Sequence, residues 1–129
     1  MINSIDFLTS AKAILASTQE EVGFRNSISR AYYSAYHACL EVLVSLDIEV
    51  TDEDCGAHLK TIKALKRNGS THYIGKDLAD LKTARTRADY FINNRVTKRD
   101  AEQTIHRAEM LIKDINQLYG QQEELASES

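Results

Sequence analysis

The sequence predicts an all-α fold, an antiparallel bundle of four main helices plus a short one. Three observations lead there. Apolar residues recur at spacings of three and four along most of the chain, and no stretch alternates with the period of two that a half-buried strand needs. The 129 residues include no proline and only five glycines, so little interrupts a helix. A chain of this length supports one core and not two. The helical domain is placed at residues 1–120, with the acidic tail QQEELASES (121–129) disordered.

The first helix is predicted from Ser4 as N-cap, with Asp6 in the first turn where a carboxylate complements the helix dipole. Phe7, Leu8, Ala11, Ile14 and Leu15 carry its apolar stripe to about 17–21, and Gly23 separates it from the next element. The second helix, about 24–46, has a broad apolar face through Phe24, Ile28, Ala31, Ala35, Ala38, Leu40, Val42 and Leu46, whose alanines admit a close neighbour. An acidic loop follows over 47–56. The third helix spans 57–67, with Leu59, Ile62 and Leu65 inward and its lysines outward, and Asn68-Gly69-Ser70 stops it. The fourth runs from Gly75 or Lys76 to about Phe91, with Leu78, Leu81 and then Ala84 or Arg85 in one stripe. Thr97 caps the fifth helix, with Asp100 completing a capping box. Its stripe from Ala101 through Ile105, Leu111 and Ile115 to Tyr119 is the cleanest in the chain, and Gly120 ends it.

Several classes of function drop out. The apolar runs are only a few residues long, so none spans a bilayer, and a start containing Asp6 does not read as a signal peptide. Cys39 and Cys55 have no metal spacing and read as reduced thiols of a cytoplasmic protein. Phosphate-loop, dinucleotide-turn and His-Glu-x-x-His patterns are missing, and the four histidines fall on four different elements. No metal or cofactor is implied.

Charge is segregated. Residues 1–59 carry 3 basic and 9 acidic side chains, residues 60–107 carry 12 basic and 5 acidic, and residues 108–129 carry 1 basic and 5 acidic. The net −6, +7 and −4 leave a mildly acidic chain with a basic middle. Such a middle either builds a positive potential suited to phosphate or packs beside the acidic segments and is neutralised.

Two polar constellations stand out. In RNSISRAYYSAYHACLEVL (25–43), Arg30 and His37 are seven apart and fall within roughly 20° of each other on a helix, with Tyr33 and Ser34 between them. Histidine suits acid–base work at neutral pH and arginine suits a phosphate. The alternative is that these residues are knitted into the core. In ARTRADYFINNR (84–95), Arg85, Arg87, Tyr90 and Arg95 crowd a helix end, and Arg85 and Asp89 are spaced for a same-face ion pair. Arginines around a tyrosine can hold a phosphate backbone and stack a base, or can be a solvated helix end.

RNSISRAYYSAYHACLEVL resembles the helix-two signature of HEPN domains (higher eukaryotes and prokaryotes nucleotide-binding), in the short stand-alone prokaryotic type. LKTARTRADYF resembles the second signature of that type, and TKRDAEQTIHRAEMLIKDI its last helix, so the likeness spans nearly the whole chain. The resemblance implies a homodimer, often encoded beside a small nucleotidyltransferase in a toxin–antitoxin or defence system. It also implies an RNA-directed activity: many members are metal-independent endoribonucleases with an Arg-x(4–6)-His motif after the third long helix. No histidine follows Arg85 or Arg87 at that spacing, whereas Arg30 and His37 have it on helix two. Two outcomes stay level, ahead of a third in which the chain is a structural or dimerisation bundle with no small ligand. In one, His37 and Arg30 are catalytic and Tyr33, Arg85, Arg87, Tyr90 and Arg95 hold RNA or nucleotide. In the other, the chain is a non-catalytic module that binds nucleotide or RNA, or docks on the nucleotidyltransferase. In both, Arg30 is expected to face inward and pair with Asp89, because a buried arginine needs a partner.

Overall fold

A computed structural model describes residues 2–50 and 55–128, with side chains as far as Leu118, and places five α-helices and no strand among them. They are α1 (Ser4–Ser17), α2 (Glu21–Ser45), α3 (Ala57–Arg67), α4 (His72–Tyr90) and α5 (Lys98–Glu128). α3, with 11 residues, is the short one. α2 packs on each of the other four helices. It lies antiparallel to α1, since Phe7 meets His37 while Ser27 bonds to Ala11, and antiparallel to α4, since Tyr32 meets Arg85 while Arg25 meets Ala88. No helix among the described residues is long and apolar enough to cross a membrane.

Small side chains let α2 take the central place. Ala31, Ala35, Ala38 and Cys39 are buried along it. Around them one core gathers Leu8, Val42, Leu65, Leu78, Leu81 and Leu111, and a smaller cluster of Ile28, Ala88, Val96 and Ala101 sits at the other end. Buried polar groups bond to backbone: the Ser27 hydroxyl donates to the Ala11 carbonyl at 2.9 Å, and that of Thr71 donates to the Leu65 carbonyl at 2.7 Å, closing the end of α3. This is how a core keeps hydroxyls without losing the stability their hydration would supply.

The helix ends depart from the sequence reading in instructive ways. Asn3 and not Ser4 caps α1, in a reciprocal box with Asp6 (3.2 and 2.8 Å), and Ser4 is buried in the first turn. Such a cap contributes about 1 kcal/mol. Gly23 lies inside a helix rather than at a break, and Gly75 inside one rather than at its start. A Cβ on Gly23 would stand 2.1 Å from the Thr18 Oγ1, and one on Gly75 would stand 2.9 Å from Lys66 Cγ and 3.1 Å from the Ile62 carbonyl. Both glycines let a neighbouring segment approach closely, so α2 and α4 start earlier than the sequence reading places them. α2 ends where Asp47 takes a left-handed φ of 53° and the Ile48 amide bonds back to Leu43 at 2.9 Å.

Leu59 lies at the surface, and Thr61, Ile62, Ala64 and Leu65 form the inward side of α3. Thr97 and Asp100 form the expected capping box, with bonds of 2.9 and 3.1 Å. α5 continues through Gly120 to Glu128. The side chains of the tail expected to be disordered, and residues 51–54 of the acidic loop, lie outside the described residues.

Candidate functional site

The phase of α2 decides what the site contains. Its buried line steps through Ile28, Ala31, Tyr32, Ala35 and Cys39. Arg30 falls off that line and is exposed, while Tyr33, Tyr36 and His37 are half-buried at its edges. The expected pair of Arg30 with Asp89 is therefore not formed. Helical geometry turns Arg30 to solvent, and Asp89 is approached instead by Arg85, Nε to Oδ2 at 3.8 Å. Asp89 also accepts from the Ser29 hydroxyl at 3.4 Å. Arg85 is the arginine that is buried, at 9% exposure.

Arg85 reaches inward from α4 into a set of rings. Its guanidinium carbon lies 5.3 Å from the Tyr32 ring centre, 5.8 Å from Tyr33 and 5.9 Å from Tyr90. These contacts are attractive because the ring faces are electron-rich, and they strengthen where water is excluded. They do not satisfy its N–H groups: Arg85 Nε is buried and has no hydrogen-bond partner. Orphaned buried donors are rare in folded proteins.

From α3, His58 packs on the same rings, 5.4 Å from Tyr32, 6.1 Å from Tyr33 and 4.3 Å from Tyr36. The Tyr32 hydroxyl lies 2.7 Å from His58 Nδ1. Burial pushes the Tyr32 phenol up, well beyond its ordinary value. Partial burial, then the nearby charges of Arg85 and Lys82, hold the His58 imidazole below its ordinary value. Both groups are thus neutral near pH 7. The buried phenol donates and Nδ1 accepts, which leaves the proton of the neutral imidazole on Nε2.

His37 belongs elsewhere. Its ring stacks on Phe7 at 5.0 Å and 11°, and it lines an open cleft of about 630 Å³ with Phe7, Leu40, Glu41 and Val44. Tyr33 stands between it and Arg85, 6.5 Å from His37 and 5.8 Å from Arg85. His37 and Arg30 are thus not assembled around Arg85 as one constellation.

The remaining arginines mark the end of α4. Arg87, Tyr90 and Arg95 are exposed, Tyr90 at 67%. Arg87 donates to the Arg95 carbonyl at 2.9 Å and so joins the helix to the loop after it. Arg25, from α2, underpins that loop. It donates to the carbonyls of Ala88 (2.8 Å), Arg87 and Phe91 (3.3 Å each) and Asn94. It also pairs with Glu21 at 3.2 Å. The Glu21 carboxylate accepts from the Val96 amide at 2.6 Å, and that bond, with Arg25, holds it below the usual carboxylate range.

The structure thus brings Tyr33, Arg85 and Tyr90 together, turns Arg87 toward Val96 and α5 while bonding it to the Arg95 carbonyl, and leaves Arg30 and His37 outside the cluster. Sequence reasoning missed His58, Tyr32 and Arg25. The spacing of Glu21 and Arg25, four apart, was the available signal for the last. His58 had none, because its partners come from α2 and α4. Among the described residues no three His, Cys, Asp or Glu side chains gather as metal ligands.

A model of the HEPN domain family matches residues 3–118, most of the chain. No curated protein and no solved structure is similar enough to match.

Proposed function

The chain belongs to the HEPN domain family, and on that premise we propose that it binds single-stranded RNA or a nucleotide at the meeting of α2 and α4, as the non-catalytic module of a toxin–antitoxin or defence system. The observation that carries this reading is Arg85, a buried guanidinium with an orphaned Nε among three tyrosine rings. That arrangement is poor for stability and good for an anion. Exposed Tyr90 offers a face for a base, and exposed Arg87 and Arg95 are further cations for a phosphate backbone. A homodimer and a small nucleotidyltransferase are the partners proposed with it, on family grounds, and the exposed apolar side chains of Ile2, Ile5 and Val44 offer surface for such contacts.

A second reading, a metal-independent ribonuclease, is favoured by two imidazoles, His37 and His58, on either side of Tyr33 and Tyr36. Fluorescence anisotropy with a labelled single strand separates the two when run beside a cleavage assay in EDTA. Three arginines neutralising phosphates on a single strand give a slope of about −2 in log affinity against log salt, so binding weakens about 20-fold between about 50 and about 200 mM. Binding without cleavage supports the module. Cleavage in EDTA that is lost in His37→Ala supports the enzyme. No binding at low salt removes both.

A further inference from the structure

We infer that Arg85 and His58 together form a site for a terminal phosphate, the phosphomonoester at the end of an RNA strand or on a free nucleotide, and that Tyr32 is the residue that positions His58 for it. The inference rests on the RNA and nucleotide reading above and specifies which phosphate goes where.

Three features lead to it. Arg85 presents a charged donor, Nε, with nothing to accept its proton, since the rings around it offer only π faces and the nearest carboxylate oxygen, on Asp89, is 3.8 Å away. His58 lies against two of the same rings, Tyr32 and Tyr33, and comes from a different helix. Its Nδ1 is occupied by the Tyr32 hydroxyl, so its free donor is Nε2–H even when the ring is neutral. An arriving anion favours the imidazolium and turns that donor into a charged one. Two donors of this kind suit the dianion of a phosphomonoester, which has a second ionisation near pH 6.

Burial selects the end of a strand over its middle. A phosphodiester within a strand must enter a site and leave it again, which exposed Arg87 and Arg95 permit. Arg85 is 9% exposed and Tyr32 is fully buried, and the cluster meets solvent at half-buried Tyr33, Tyr36 and His58 and at exposed Tyr90. Approach to Nε from that side asks for a single group at a chain end, not a strand passing through. Asp89 opposes such a ligand by its charge. Its Ser29 bond holds it on the α2 side, and its removal is expected to help binding.

The test compares one short RNA with a 5′-phosphate, with a 3′-phosphate and with neither, labelled at an internal position, alongside AMP and inorganic phosphate as competitors. The wild-type protein is expected to prefer one phosphorylated end by about tenfold or more. His58→Gln and Tyr32→Phe should reduce that preference to about twofold, lowering affinity for the phosphorylated strand more than for the unphosphorylated one. Asp89→Asn should increase the preference, a direction that a purely structural role for Asp89 does not give. Equal affinity for all three strands overturns the inference and leaves the RNA reading standing. If no RNA binds at all, the RNA reading fails, and the inference is decided by the His58 imidazole resonance during titration with AMP or phosphate. A saturable shift that is absent in Arg85→Gln upholds the site, and no shift disposes of it.

Discussion

Replacing Arg25 with methionine keeps the apolar stem and removes the guanidinium that holds the end of α4. The wild-type group bonds to four carbonyls and one carboxylate, yet only the 2.8 Å bond to Ala88 is partly buried. That charge-assisted bond contributes about 1.5–3 kcal/mol. The exposed carbonyls of Arg87, Phe91 and Asn94 regain water when the arginine leaves, and the cation's place at a helix C-terminus adds about 0.5 kcal/mol. The expected loss is therefore about 2–4 kcal/mol. Urea unfolding followed by far-UV circular dichroism reads it as a midpoint lower by about 1–2 M at unchanged slope. Arg25→Lys should recover less than half, because an ammonium cannot span carbonyls that a planar fork reaches together. RNA affinity should fall as well, since the loop that carries Arg95 loses its support. A midpoint within error of wild type would show that the loop is held by its own turns and by Val96, and would refute this account of the site's outer edge.

Three further outcomes follow from the same geometry. The His58 imidazole is depressed in the folded state, so the unfolded chain takes up its proton first. Stability is complete above the unfolded value of about 6.5 and declines as pH falls from there through the folded value. His58→Gln should flatten that limb in unfolding curves measured between about pH 7.5 and about pH 5.5, and an unchanged limb would mean that other groups carry it. Arg30→Ala, on an exposed position, should change stability by less than about 0.5 kcal/mol. Arg85→Met gives up contacts with three rings but relieves a buried orphan donor, so its stability should stay within about 1 kcal/mol of wild type while RNA binding drops. A loss of several kcal/mol in Arg85→Met, with RNA binding intact, would make Arg85 a structural residue.

What was legible in the sequence is what depends on neighbours along one helix. The five elements, the Thr97–Asp100 box and the approach of Arg85 to Asp89 all rest on spacings of three or four. The family likeness is of another kind, a resemblance of whole motifs such as RNSISRAYYSAYHACLEVL and LKTARTRADYF, and the family model matches residues 3–118. The failures share another cause. Gly23 reads as a break and Gly75 as a helix start, because the sequence does not disclose that Thr18 and α3 press against them. Arg30 reads as the buried arginine because it shares a helix face with Tyr33, Ser34 and His37. Which of two arginines is buried depends on where α4 crosses α2, and no local pattern contains that. His58 escaped for the same reason: its value comes from Tyr32, 26 residues away in the chain.

The exchange of Arg30 for Arg85 alters the chemistry as well as the name of the residue. An Arg30–Asp89 pair would have been a closed structural bridge, both charges satisfied, with the site left to His37. The observed arrangement places the carboxylate too far from Nε to satisfy it and surrounds the guanidinium with rings that attract its charge without accepting its protons. A fold selected for stability alone would fill that position with an apolar side chain, since a buried ionic group is at best neutral against a hydrophobic replacement. Retaining an arginine there makes sense if its unmet hydrogen bond is met by something that arrives. The same reasoning explains the tyrosines. Tyr32 spends its hydroxyl on His58 rather than on backbone, and Tyr90 stays 67% exposed beside the buried charge. The buried donor and the open ring face come from α4 and the oriented imidazole from α3, and α2, packed against both, supplies the Tyr32 and Tyr33 rings between them.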